Sequence, residues 1–298
     1  MVRRGRFGSE VPSGAETLSL DVSDPRAAAD AMHGAEVVYH CVNPIYTEWS
    51  RLLLPLTRGV LGGAARAGAH LVALDNLYMY GRAPNGIMSE DTPVAPCSKK
   101  GELRAEAATE MLAARERGDL AVTIGRASDF FGPGARLAAT FGERFWRRAL
   151  AGKPGEVFGD PDMPHSYSYV EDVADGLVTL GTDERAKNRL WHLPVNPAEP
   201  TRTTIARAGR AIGVELGATR VPTWLLRSLG VFAPMLREVA EMTYQWQVPF
   251  ILDDSRFRAT FGAQATAWEP AMAATGAWAR AEYSKESTRS SELANVPL

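Results

Sequence analysis

The stretch His70-Leu-Val-Ala-Leu-Asp75 decides the fold. It is a continuous apolar run with no polar alternation, closed in front by Gly68 and followed by Asn76. A strand with one wet face alternates apolar and polar residues. An unbroken run fits a strand covered on both faces by helices, which is the setting of a parallel sheet. Glu36-Val-Val-Tyr-His-Cys41 and Leu120-Ala-Val-Thr-Ile-Gly125 have the same character, and Thr17-Leu-Ser-Leu-Asp21 is an earlier candidate. Helical stretches fit between them. Pro25 to His33 is Ala-rich and starts behind Ser23 and Asp24, which can cap it. Trp49 to Ala67 is apolar at helical spacing and closes at Gly68, and Lys100 to Arg117 closes at Gly118. Strand–helix–strand alternation with short connections implies βαβ units.

The pattern loosens after Gly132-Pro133, where prolines become frequent. The expected organisation is a Rossmann-like core over residues 1–150, with returning segments at 157–195. A smaller lobe covers 151–283, with helical stretches at Thr203 to Gly213 and Thr223 to Tyr244, and a polar, disordered tail covers 284–298. A net charge of −2 over 298 residues gives no electrostatic case for nucleic acid or an anionic membrane. Cys41 and Cys97 stand outside any CxxC or Cys/His cluster. They read as reduced thiols of a cytoplasmic protein, with no metal site. No apolar run reaches membrane-spanning length.

Five motifs, in order, carry a resemblance. They are Val37-Val-Tyr-His-Cys41, Tyr78-Met-Tyr-Gly81, Glu90-Asp-Thr-Pro93, Gly125-Arg-Ala-Ser-Asp-Phe-Phe-Gly-Pro133 and Tyr167-Ser-Tyr-Val-Glu-Asp-Val-Ala174. Together they resemble the extended short-chain dehydrogenase/reductases, the NAD-dependent epimerase/dehydratase family. Asp75-Asn-Leu-Tyr-Met-Tyr-Gly81 with Lys100-Gly-Glu-Leu-Arg-Ala105 is similar to an atypical branch of it. The resemblance implies an NADP or NAD cofactor on the Rossmann-like core, a small-molecule substrate bound by the smaller lobe over 151–283 and, by analogy, a homodimer through the helices Trp49 to Ala67 and Lys100 to Arg117.

Such proteins open with a strand, a Gly-x-x-Gly-x-x-Gly turn and a helix, whose backbone amides receive the pyrophosphate. No such turn occurs in this sequence. By position, Val2 to Arg6 resembles the end of the family's second strand, so the first βαβ elements are expected to be missing. A shortened gene model and a genuinely short chain both account for that, and either puts tight dinucleotide binding in doubt.

Site residues follow from the resemblance. Arg3 and Arg4, with Arg6, sit where the adenosine ribose is read and lean towards NADP, although a solvated basic loop fits them as well. Asp21-Val22 resembles the pair that meets adenine; Asp21 also reads as a plain strand end. Cys41, Asn43 and Asp129 complete the expected cofactor set. Lys100 resembles the active-site lysine, but the family's Tyr-x-x-x-Lys would need a tyrosine at the position held by Pro96, and Asn76 replaces the usual Ser/Thr. Tyr78 is the expected substitute, with packing as a core aromatic the competing reading. Tyr46, Trp49, Tyr80, Phe130, His165, Tyr167 and Tyr244 are the expected substrate-binding residues, each equally readable as core. His165 stands where nucleotide-sugar enzymes of the family carry an arginine, which points to a less charged, ring-bearing substrate. The expected function is an NAD(P)-dependent epimerase, dehydratase or reductase acting on a small carbonyl or alcohol. A non-catalytic NAD(P)-binding regulator and an inactive fragment are the alternatives.

Overall fold

The computed structural model describes residues 14–136, 139–229, 231 and 233–294. They form two compact units, each assembled from separate stretches of chain. One contains the described residues up to Gly81, with Pro96–Arg126 and Leu177–Trp191; the other contains Arg82–Ala95, Ala127–Gly176 and the chain from His192. Residues 127–150, read above with the core, therefore pack in the second unit.

The first unit is built on β1 (Val37–His40), β2 (His70–Asp75), β3 (Val122–Arg126) and, as far as Trp191, β4 (Leu190–His192), ordered β1-β2-β3-β4. β1 and β3 both run parallel to β2, with Val37 opposite His70 and Asp75 opposite Arg126. Leu71, Val72 and Ala73 are at most 1% exposed, as an unbroken apolar run on a two-sided sheet requires. Burying each side chain of Val or Leu size contributes roughly 1.5–3 kcal/mol.

Three helices flank the strands. α1 (Pro25–Met32) begins behind Asp24, whose carboxylate accepts from Arg26 N at 2.9 Å. Pro25 has no N–H to leave orphaned in that first turn. α2 (Trp49–Ala67) ends on Gly68 in the left-handed region, φ 66°. Gly59 lets α2 close on the preceding chain, since a Cβ there would lie 1.9 Å from the Val22 carbonyl oxygen. α3 (Lys99–Glu116) is capped by Ser98, which accepts from Gly101 N at 3.0 Å.

One expected strand does not form. Thr17 to Asp21 carries a single bridge at Ser19 and no ladder. Its side chains are mostly exposed, and Asp21 turns the chain by accepting from Ser23 N at 3.0 Å and Ser23 Oγ at 2.7 Å. Without a ladder partner, the backbone groups of so short a segment are satisfied by turns and water.

The second unit consists of short strand pairs and helices around an aromatic core. Asp129–Phe131 runs parallel to Tyr167–Tyr169, and Phe131, Phe141, Trp146 and Tyr167 are at most 1% exposed. The stretch Thr223 to Tyr244 is not one helix. It divides into Thr223–Leu229 and Pro234–Met242, followed by a 3-10 turn over Thr243–Trp246. Pro234 cannot donate into a preceding turn, and Ala233 before it is extended at φ −129° and ψ 100°. The last helix, Trp268–Ala294, runs past Ser284, where the sequence reading placed the start of the tail. Among the described residues, no helix is long and apolar enough to cross a membrane.

Candidate active site

The C-terminal ends of β1 and β2 and the first turn of α3 bring a group of aromatic and cationic side chains together in the first unit. After β1 the chain makes a 3-10 turn, Tyr46–Glu48, that runs directly into α2. Trp49 is 1% exposed and donates from its indole N–H to the Pro44 carbonyl at 2.8 Å, which fixes the turn. After β2, the Asn76 side-chain oxygen accepts from Tyr78 N at 3.0 Å and folds Tyr78–Tyr80 into another 3-10 turn.

The two turns set the hydroxyls of Tyr46 and Tyr78 2.5 Å apart. Trp49 stacks on Tyr78 with centroids 6.2 Å apart and meets the Tyr46 ring edge-on at 5.2 Å. Lys100, 2% exposed, places its ammonium 5.0 Å from the Tyr46 ring centroid. A desolvated cation over an aromatic face is worth about 2 kcal/mol. Gly101 permits this approach of α3: a Cβ there would lie 2.5 Å from the Tyr78 carbonyl oxygen and 3.0 Å from Pro96 Cβ.

A charged network backs the aromatic group. Arg104, one helical turn beyond Lys100, lies over Trp49 at 4.5 Å and donates to Asn43 Oδ1 at 2.8 Å. It also faces the Asp75 carboxylate at 3.6 Å. Arg126 donates to that carboxylate at 3.2 Å and to the Tyr80 hydroxyl at 2.6 Å. Tyr80 is thereby held as a structural partner of β3, and Asp75 balances only one of two arginines. His40, at the end of β1, is buried. Burial, and secondarily the Arg104 charge, lowers its pKa to about 4, so it is neutral at pH 7.

The sequence-derived candidates fall in different places. Arg3 and Arg4 lie outside the described residues. Asp21 is exposed and engaged with Ser23, whereas Val22 is buried under α2 at Gly59. Cys41 and Asn43 are exposed on the chain that follows β1, and Cys97 is exposed before α3. In the second unit, Asp129 meets His165 Nε2 at 3.0 Å. His165 is 0% exposed, stacked on Trp246 at 5.1 Å with an interplanar angle of 2°. Tyr167 is likewise enclosed. Its hydroxyl pairs with Thr201 Oγ1 at 2.8 Å, and burial pushes its pKa up. Phe130 is half-buried, and Tyr244 is buried with the Arg82 guanidinium 5.8 Å from its ring centroid. Asn43, Tyr46, Trp49, Asn76, Tyr78 and Lys100 thus share one unit, while Asp129, His165 and Tyr167 share the other. Sequence reasoning does not single out Arg104 or Arg126. The one signal for Arg104 is its spacing of four from Lys100, which puts both on one helix face.

A parallel α/β sheet with its polar groups gathered at the C-terminal strand ends defines the Rossmann-like class. The chain belongs to the NAD dependent epimerase/dehydratase family, whose profile matches residues 2–192. UDP-glucuronic acid decarboxylase 1 of Xenopus tropicalis is 28% identical over 170 residues, which is 54% of this chain and 38% of that protein. The match to the Danio rerio enzyme of the same name covers 37% of it, so the chain spans about two fifths of the curated relatives it matches. Among solved structures, the dTDP-glucose 4,6-dehydratase of Bacillus anthracis in complex with NAD superimposes with a TM-score of 0.73 at 14% identity, covering 90% of this chain and 80% of that one. The UDP-glucuronic acid 4-epimerase of Bacillus cereus in complex with NAD gives 0.71 at 16% identity, over 90% and 79%. At these identities the likeness is one of fold.

Proposed function

We propose that this protein is an NAD-dependent enzyme acting at a hydroxyl- or carbonyl-bearing carbon of a small, ring-containing substrate. One observation carries the reading: a buried lysine ammonium packed against a pair of hydrogen-bonded phenols at the C-terminal ends of two parallel strands. Open α/β sheets bind ligands at that end. The donor set suits the nicotinamide-ribose half of a dinucleotide, with Lys100 for the ribose hydroxyls and the exposed Asn43, held by Arg104, on the chain that follows β1. The pyrophosphate half rests on family membership alone, because the glycine-rich turn that receives it elsewhere in the family does not occur in the sequence. NAD is preferred to NADP because the solved neighbours named above are complexes with NAD.

When bound, the dinucleotide supplies a hydride acceptor or donor. The protein's own residues hold and move the proton. Lys100 orients the ribose and favours negative charge on a neighbouring phenol oxygen. Trp49 covers one face of Tyr78, and Asn76 shapes the turn that presents Tyr78. Sugar nucleotides, named for the relatives, and simple cyclic alcohols make up the substrate panel.

Isothermal titration with NADH and NADPH tests the reading. NADH is expected to bind in the micromolar range, with Lys100→Met weaker by about tenfold or more, a change of about 1.4 kcal/mol. Binding of neither dinucleotide refutes it. A second reading, a dinucleotide-binding regulator without turnover, draws on Pro96 standing where the family's tyrosine precedes the lysine. NADH binding without reduction or oxidation of any panel member supports that one.

A further inference from the structure

Tyr46 and Tyr78 are not equivalent. Tyr78 is buried, 7% exposed, beneath Trp49, whereas Tyr46 is half-buried on the turn after β1. Their oxygens are 2.5 Å apart, within the range of a short O–H···O bond. The ammonium of Lys100 lies against Tyr46, the outer ring. The positions that a family comparison would search for the proton-carrying tyrosine contain none, so spacing along the chain does not find this pair.

We infer that Tyr46 and Tyr78 form a two-phenol proton relay in which Tyr46 meets the substrate oxygen and Tyr78 stores the proton. The inference rests on the reading under Proposed function. In the working state the pair has released one proton to solvent and the two oxygens share the one that remains. The substrate O–H proton moves to the Tyr46 oxygen as the Tyr46 proton moves to the Tyr78 oxygen. The electron pair of the broken O–H bond stays on the substrate oxygen, which becomes the alkoxide. The pair ends with two protons, and reversal returns one to a carbonyl oxygen being reduced. Tyr46 is the catalytic residue and Tyr78 the positioning one. The charges around the pair favour the anion. Lys100 faces Tyr46 from α3, Arg104 lies over Trp49, and Asp75 behind Arg104 is also paired with Arg126. Glu48, on the same turn as Tyr46, is held by Arg51.

The test is a near-ultraviolet tyrosinate titration of the full chain and of Tyr46→Phe and Tyr78→Phe, with an NADH titration of each. Both variants keep their rings, and circular dichroism checks that they fold. The wild type is expected to form one tyrosinate about one pH unit or more below the others, because one phenolate is held by its neighbour's O–H and by a cation. Each single variant should lose that early step. A wild type without the early step, or a variant that retains it, overturns the relay. Failure of NADH to bind overturns the functional reading, and the relay's role in it, even where the early tyrosinate step shows that the two phenols share a proton.

Discussion

Asp75 and Arg126 stand opposite each other at the ends of adjacent parallel strands, 3.2 Å apart, with side chains 2% and 3% exposed. Arg104 reaches the same carboxylate from α3. Asp75 therefore ties two strands and a helix together beneath the aromatic group. Removing it leaves two arginines uncompensated, one of them buried.

Asp75→Ala should lower the unfolding free energy by about 3–5 kcal/mol, the range for breaking a buried ion pair from one side. Asp75→Asn keeps the acceptor oxygen and should cost less. Urea unfolding of both variants measures this. A loss below about 1 kcal/mol in Asp75→Ala would show that the pair does not hold the strand ends.

His40 makes stability depend on pH in a stated direction. Its folded pKa is lowered to about 4 from an ordinary 6.5. Between those values the unfolded chain binds a proton that the folded chain refuses. Stability is complete above pH 6.5, falls as pH drops towards 4, and changes no further from this group below that. The full effect is about 3 kcal/mol. His40→Leu should flatten this part of the stability-against-pH curve, and an unchanged slope would place the sensitivity elsewhere.

Gly101→Ala tests the approach of α3 to the Tyr78 turn. The added methyl would meet the Tyr78 carbonyl oxygen at 2.5 Å, a backbone atom with little room to give. A loss of about 1–3 kcal/mol is expected. A shifted tryptophan emission should accompany it, because Trp49 stacks on Tyr78. Full stability with unchanged emission would refute the close contact.

Asp24→Ala removes the cap of α1 at a distance from the aromatic group. Its expected cost is about 1 kcal/mol, with Asp24→Asn close to neutral. Dinucleotide affinity should not change in either variant. A tenfold loss of affinity would tie α1 to binding in a way the cap alone does not.

Local chemistry was legible along the chain. The unbroken run His70–Asp75 is β2, and the helix read from Trp49 to Ala67 has those bounds, with Gly68 left-handed behind it. Asp24 caps α1. These features depend on a residue and its near neighbours, so period, caps and glycine record them. The divided helix after Thr223 was also written locally, in Pro234, although the apolar pattern runs across the break. Thr17 to Asp21 has the composition of a strand, but a strand exists only where a ladder partner lies beside it. Tyr46 and Tyr78 are 32 positions apart, and Asp75 and Arg126 are 51 apart. Composition shows each residue's chemistry, whereas the parallel register, the stacking on Trp49 and the glycine gap at Gly101 decide which hydroxyls and charges meet. The burial of His165 and Tyr167 was decided in the same way, because an aromatic at a strand reads alike from sequence whether it lines a cleft or fills a core.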